Sequence, residues 1–197
     1  FGSKIRKVDE FSSDFSPSTP YACSKLASEY HFNQALRDHK FPVIISRFSN
    51  FYGPGQPIYR LIPKVIMSIN KKKRFPLEGN GASTRNFIYS EDFCEGIFKL
   101  ILKGKIGKVY HFSGKQFVKI KDVIKLICSI KKINYKKFIK ISKERIGKDD
   151  AYQLSYNWTK KKLHWDAKVN LKVGIFKTIM FYEKFSRQLS KESMKFS

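Results

Sequence analysis

Apolar positions along this chain alternate between helical spacing and short continuous runs. From Tyr21 to His39, Ala22, Leu26, Ala27, Tyr30 and Leu36 recur as a stripe on one face of a helix. Ser18 or Thr19 can cap that helix, and Pro20 suits its first position, where a backbone N–H would lack an intrahelical partner in any case. Upstream, residues 4–18 are polar and turn-rich and read as a loop. Downstream, "FPVIISRF" (41–48) is the continuous apolar run of a buried parallel strand, and "NFYGPGQP" (50–57) is a loop punctuated by Gly and Pro. "LIPKVIMSINKKK" reads as helix, "EGNGASTR" (78–85) as a turn-rich loop and "NFIY" as a short strand. Helix resumes in "SEDFCEGIFKLILKG", with Ser90 as its cap, Glu91 and Asp92 in the electropositive first turn and Gly104 near its end. "KVYHFSG" (108–114) is a further strand, "IKDVIKLICSIKK" an amphipathic helix, and a last helix starts near Leu171. Strands alternating with helices predict an α/β architecture with a largely parallel sheet.

Composition adjusts this picture in three ways. A chain of 197 residues with 42% hydrophobic content can bury a real core. The net charge of +24 is spread among Ile, Phe, Asn and Tyr, with only short runs such as "KKKR" at 71–74. Scattered lysines make a solvated basic surface that attracts small anions; they do not make the footprint of a nucleic-acid partner. No stretch approaches the apolar length of a membrane span. Cys23, Cys94 and Cys128 are odd in number and far apart, which suits neither a disulfide framework nor a zinc site, so no metal and a reduced, cytoplasmic setting are expected.

The candidate chemistry starts at "TPYACSK". On a helix, Tyr21 and Lys25 lie one turn apart on one face, and the ammonium favours phenolate over phenol. A tyrosine so placed can serve as general base on a sugar hydroxyl. The spacing alone is cheap, because Tyr156 and Lys160 in "YNWTK" repeat it. That second pair has no capping signal before it and continues into the charged "TKKKL", so it reads as a surface Tyr and a solvated Lys.

The segments downstream of Tyr21 carry more weight. The helix leads into a strand ending in "RFSNFYGPGQ" (47–56), then "RLIPKVI" (60–66), "PLEGNGASTRNFIYSEDF" (76–93), "GKVYHFSG" (107–114) and "GKDDAY" (147–152). This ordered series, covering nearly the whole chain, resembles the extended short-chain dehydrogenase/reductase family, the NAD-dependent nucleotide-sugar epimerases and dehydratases. The likeness leans toward the NDP-glucose 4,6-dehydratase branch, with a 4-epimerase as the alternative. A basic nucleic-acid-binding module and a non-catalytic relative stand further off.

The resemblance implies the C-terminal part of a Rossmann-type parallel sheet with a smaller α/β substrate-binding domain. Residues 1–57 would belong to the NAD-binding domain and 58–197 mainly to the substrate domain, with about 86–114 returning to the Rossmann sheet. It implies NAD as cofactor, a nucleotide-sugar as substrate and a homodimer of the complete protein, joined through the Tyr21–Leu36 helix. Tyr21 would take the proton from the sugar 4-hydroxyl while hydride passes to NAD, and Lys25 would hold the nicotinamide ribose. Phe51 would line the nicotinamide, and Asn50 would touch the substrate diphosphate. Arg60 and Leu61 would contact the nucleotide-sugar, and Pro76, Leu77 and Glu78 would lie beside the base. Arg85 would grip a phosphate, for which a guanidinium is well shaped. Arg145 and Lys148 would belong to a late nucleotide-binding loop. His111 stands where the family commonly has asparagine, and a lone His on a strand reads as structural.

The Gly-rich turn that cradles the NAD pyrophosphate is not in this sequence, nor is the Asp-Glu pair that dehydratases carry just before a "YG" like Phe1-Gly2. The expectation is a C-terminal fragment with half of the cofactor cradle. The 197-residue chain alone should therefore bind NAD more weakly than micromolar, as titration calorimetry would report; a micromolar affinity would overturn this.

Overall fold

The computed structural model describes residues 7–143, 153–189 and 194. In chain order the elements are β1 (Lys7–Val8), α1 (Pro20–His39), β2 (Ile45–Phe48), β3 (Asn50–Tyr52), α2 (Leu61–Asn70), β4 (Phe75–Glu78), β5 (Thr84–Tyr89), α3 (Ser90–Lys103), β6 (Val109–Phe112), β7 (Phe117–Lys119), α4 (Ile120–Ile130), α5 (Tyr135–Phe138), β8 (Ile139–Ser142), β9 (Gln153–Leu154), α6 (Asn157–Leu163), α7 (Leu171–Lys184) and α8 (Ser186–Leu189). Strands β1 and β9, β2 and β6, β3 and β5, and β4 and β8 pair in parallel. Among the described residues only β5 and β7 pair antiparallel. The α/β, largely parallel architecture expected from the alternation is the one observed.

The main core lies where α2, α4 and α7 meet. Val65, Ile66 and Met67 of α2, Val123, Ile124 and Ile127 of α4 and Ile175 of α7 have no exposed surface. Each such side chain taken out of water contributes about 1.5–3 kcal/mol. Tyr52 of β3 and Phe87 and Tyr89 of β5 close the same cluster, so the helices are packed directly against the strands. Gly174 makes this possible, because a Cβ there would stand 2.2 Å from the Tyr52 hydroxyl. Gly53 serves similarly after β3: a Cβ would meet the Ser90 Oγ at 2.1 Å. A second cluster joins Ile88, Leu100, Tyr110, Phe112, Leu163 and Trp165, with the Trp165 indole N–H donating to the Asp92 carbonyl at 2.9 Å.

Several local expectations change. The apolar run 41–48 forms a strand only over Ile45–Phe48, and that strand is half-buried, because β6 covers one edge and a cleft lies beside it. Asn50–Tyr52, expected in a loop, is a strand because β5 supplies it with a parallel partner. Residues 78–85 are not loop throughout: Glu78 ends β4 and Thr84 starts β5. Lys7–Val8 forms a short strand inside the stretch expected as a loop. Ser90 is the first helical residue of α3 and not its cap; Tyr89 holds that position without a side-chain bond. Helix α1 has no buried residue at all. Its half-buried face runs through Ala22, Leu26, Glu29, Asn33 and Leu36, whereas Ala27 and Tyr30 of the expected stripe are exposed.

Helices α2 and α4 end alike. Lys72 and Lys132 take left-handed backbone (φ 53° and 54°), and the next residues, Lys73 and Ile133, return their N–H groups to Ser68 and Cys128. This is the Schellman ending, which favours Gly because a Cβ in this conformation costs about 1–2 kcal/mol. Each of Lys72→Gly and Lys132→Gly should stabilise the chain by about 0.5–1 kcal/mol after the extra unfolded-state entropy of Gly, read as a higher urea midpoint at unchanged slope.

Candidate active site

Helix α1 begins as its sequence dictates. Thr19 is extended (φ −140°, ψ 154°), its Oγ1 accepts the Ala22 N–H at 3.1 Å, and Pro20 occupies the first turn. This sets Tyr21 and Lys25 one turn apart, with the Lys25 ammonium 5.5 Å from the Tyr21 ring centroid. Both line a cleft of about 1050 Å³. The β2 edge, Asn50 and Phe51 of β3, and Arg60 and Leu61 at the start of α2 form its other walls. Tyr21 is 71% exposed, so its hydroxyl is open to a ligand.

Six of the sequence-derived residues, Tyr21, Lys25, Asn50, Phe51, Arg60 and Leu61, thus share one cleft although they come from three segments. The turn after β3 is tied down by Gln56, which donates to the Phe51 carbonyl at 2.8 Å, and by Tyr182, whose hydroxyl donates to the Gln56 carbonyl. Arg60 precedes α2 with its guanidinium over the Tyr59 ring at 5.4 Å. Pro76, Leu77, Glu78 and Arg85 do not line this cleft. Pro76 and Glu78 are exposed on β4, while the Leu77 side chain lies in the main core. Arg85 is buried on β5, with Nη1 donating to the Thr84 carbonyl at 2.8 Å. Arg145 and Lys148 lie outside the described residues.

Two features of the cleft escaped the sequence reading. Phe51 stacks on Phe93 of α3 (centroids 5.7 Å, 24°), and Phe48 packs on the same ring at 4.8 Å. Together they form an aromatic shelf at the end of β2 and β3. The other is an ion pair: Arg47 Nε donates to both Glu29 carboxylate oxygens (3.0 and 3.1 Å), and Nη2 reaches Oε2 at 2.6 Å. The signal available was an acid four residues beyond Lys25 and a lone arginine within an apolar strand.

His111 is structural, as expected. It is fully buried on β6; its Nδ1 lies 2.9 Å from the Ser155 carbonyl, and its backbone N–H donates to Thr159. Burial pushes its imidazole below the usual value, with the Glu10 charge pulling the other way. Asp92 does more than start α3: its carboxylate accepts the N–H groups of Lys168 and Val169. The pair Tyr156 and Lys160 is not the surface pair expected. The Tyr156 hydroxyl and the Lys160 ammonium both donate to Asp166, at 2.9 and 2.8 Å, and Lys115 approaches the same carboxylate at 3.1 Å. Burial works against the Asp166 charge, but these donors outweigh it and hold the carboxyl at about 2. The Tyr156 phenol is pushed up, first by burial and then by its bond to Asp166. The pair is thereby committed to structure and tuned away from base chemistry.

An α/β fold of parallel strand pairs, with a Tyr-x-x-x-Lys helix beside a cleft, is that of a Rossmann-type protein. The chain belongs to the NAD dependent epimerase/dehydratase family, whose model matches residues 1–112. It is 33% identical over 186 residues to dTDP-D-glucose 4,6-dehydratase of Homo sapiens, an alignment covering 92% of this chain and 53% of that protein. It is 32% identical over 178 residues to a dTDP-glucose 4,6-dehydratase of Escherichia coli, covering 85% and 49%. Among solved structures, dTDP-glucose 4,6-dehydratase from Bacillus anthracis in complex with NAD superposes with a TM-score of 0.88 at 28% identity, over 94% of this chain and 59% of that one. The chain spans about half the length of the curated relatives it matches.

Asp166→Asn should destabilise the chain by about 1–2 kcal/mol at neutral pH. The native carboxyl sits at about 2 against an ordinary 3.8, so this stabilisation is complete above about pH 4 and fades as pH falls toward 2. Urea unfolding of both forms should show the gap narrowing below pH 4; a gap independent of pH would overturn the assignment.

Proposed function

We propose that the protein containing this chain is an NAD-dependent nucleotide-sugar 4,6-dehydratase. One observation carries the reading: a single cleft gathers Tyr21, Lys25, Asn50, Phe51, Arg60 and Leu61. Lys25 and Tyr21 supply polar groups suited to a nicotinamide ribose, and the Phe51 shelf supplies an apolar wall for the ring. The residues present therefore fit the nicotinamide end of the cofactor. NAD, when bound, supplies the hydride acceptor and donor. Lys25 favours the Tyr21 phenolate, which takes the proton from the sugar 4-hydroxyl and becomes phenol as the 4-keto group forms. Arg60 and Asn50 face the anionic diphosphate, and Leu61 packs on the nucleotide-sugar.

Arg85, the segment Pro76–Glu78, Arg145 and Lys148 complete our proposed nucleotide contacts. Elimination of water and return of hydride to C6 would then give a 4-keto-6-deoxy sugar. Dehydration is preferred to 4-epimerisation because the relatives at 30% identity or more described above are dehydratases. Residues 1–57 act in the cofactor-binding domain and 58–197 mainly in the substrate domain. We assign the protein to the cytoplasm, a setting in keeping with the free thiols of Cys23, Cys94 and Cys128 and with the absence of a membrane-length apolar helix among the described residues. The exposed Tyr30 and Phe32 on α1 suit a homodimer built through that helix. No nucleic-acid partner is invoked.

The test is Tyr21→Phe in the full-length protein, assayed by formation of the 4-keto product from an NDP-glucose. Turnover should fall by about 10²–10⁴-fold while nucleotide-sugar binding persists. Tyr156→Phe should turn over near the parent rate. Near-parent turnover by Tyr21→Phe would sink the reading.

A further inference from the structure

Helix α1 carries the proposed base yet buries none of its residues. The centre of its half-buried face is not a hydrophobe but Glu29, one turn beyond Lys25. Arg47 grips that carboxylate through two nitrogens, and its guanidinium lies 4.9 Å from the Phe15 ring, in the loop that enters α1. One side chain on β2 thus touches both the helix and its approach. The pair is mostly shielded, with side chains only 15% (Arg47) and 23% (Glu29) exposed. His111 stands beside Arg47 in the β2–β6 register, and burial first, with the Arg47 charge adding to it, disfavours its imidazolium against the pull of Glu10 and Asp9.

We propose that Glu29 and Arg47 are a positioning pair that keeps Lys25 free to serve Tyr21. Tyr21, Lys25 and Glu29 succeed one another at four-residue spacing and line the same cleft. A carboxylate four residues from a lysine on a helix attracts it. Arg47 satisfies Glu29 bidentately and leaves the Lys25 ammonium with Tyr21. Without Arg47, Glu29 draws Lys25 one turn down the helix, away from the phenol. This inference rests on Tyr21 being the base.

The test uses the full-length protein with Arg47→Met, Arg47→Lys and the double variant Arg47→Met/Glu29→Met. Thermal melts establish that each is folded. Arg47→Met should lower kcat roughly 10- to 100-fold and move the rising acid limb of the pH–rate profile to higher pH, because a diverted Lys25 no longer favours phenolate. NAD affinity, measured by calorimetry, should weaken in parallel. Arg47→Lys should lose less and leave the limb in place. The double variant, with no carboxylate to compete for Lys25, should recover both the limb and the NAD affinity. Equal impairment of Arg47→Met and the double variant with an unmoved limb would overturn the proposal, leaving the pair a fold-stabilising tie. Near-parent behaviour of Arg47→Met would overturn it too. Failure of the base assignment shows separately, as activity retained by Tyr21→Phe.

Discussion

The apolar contact among α2, α4 and α7 is the constraint from which the rest of the chain takes its position. Val65, Ile66, Val123, Ile124 and Ile175 are fully buried there, and Tyr52, Phe87 and Tyr89 bring the β3–β5 pair into the same cluster. Burial of this area is the dominant favourable term in such a fold. It also has a directional consequence. Because Tyr52 is held at one end of β3 and Ile62 in the first turn of α2, the two residues just before each of them, Asn50 and Phe51 and then Arg60 and Leu61, are delivered to a common cleft. A packing requirement in one part of the chain thereby builds half of a cleft in another.

The other half obeys different physics. Helix α1 forms because Thr19 caps it, Pro20 starts it and twenty residues provide enough turns to propagate. It is not held by burial. Its described side-chain tie to the sheet is the Glu29–Arg47 ion pair, helped by the Arg47–Phe15 contact and by Leu36 lying against Gly107. A bidentate guanidinium–carboxylate contact is directional where apolar packing is not. A helix that must present Tyr21 and Lys25 to a cleft at a defined angle is well served by such a tie.

Much of this was legible in residue order. Helices with a strong apolar face announce themselves because periodicity and burial coincide, as in α4, where Val123, Ile124, Ile127 and Cys128 repeat at helical spacing and are all buried. The cap of α1 was equally plain. The strands were not. Asn50-Phe51-Tyr52 looks like part of a Gly-Pro loop until β5 pairs with it, and the run at 41–48 looks like a buried strand until half of it stands beside a cleft. Strand state depends on a partner far away in sequence, which no local pattern contains. Polar ties were hidden for the same reason: Asp166 gathers Tyr156, Lys160 and Lys115 from separate turns of the chain and converts a second Tyr-x-x-x-Lys spacing into a structural post.

Residue order by itself determined the class of architecture, the capped helix bearing Tyr21 and Lys25, and the ordered motifs that assign the family. All of these rest on near-neighbour spacing, on caps and on side-chain type. Only the tertiary structure decided which of two identical Tyr–Lys spacings faces a cleft, which strands pair, and that Arg47 and Glu29 join across eighteen positions of sequence. Those outcomes depend on which distant surfaces bury one another, and a buried contact is a property of two segments at once.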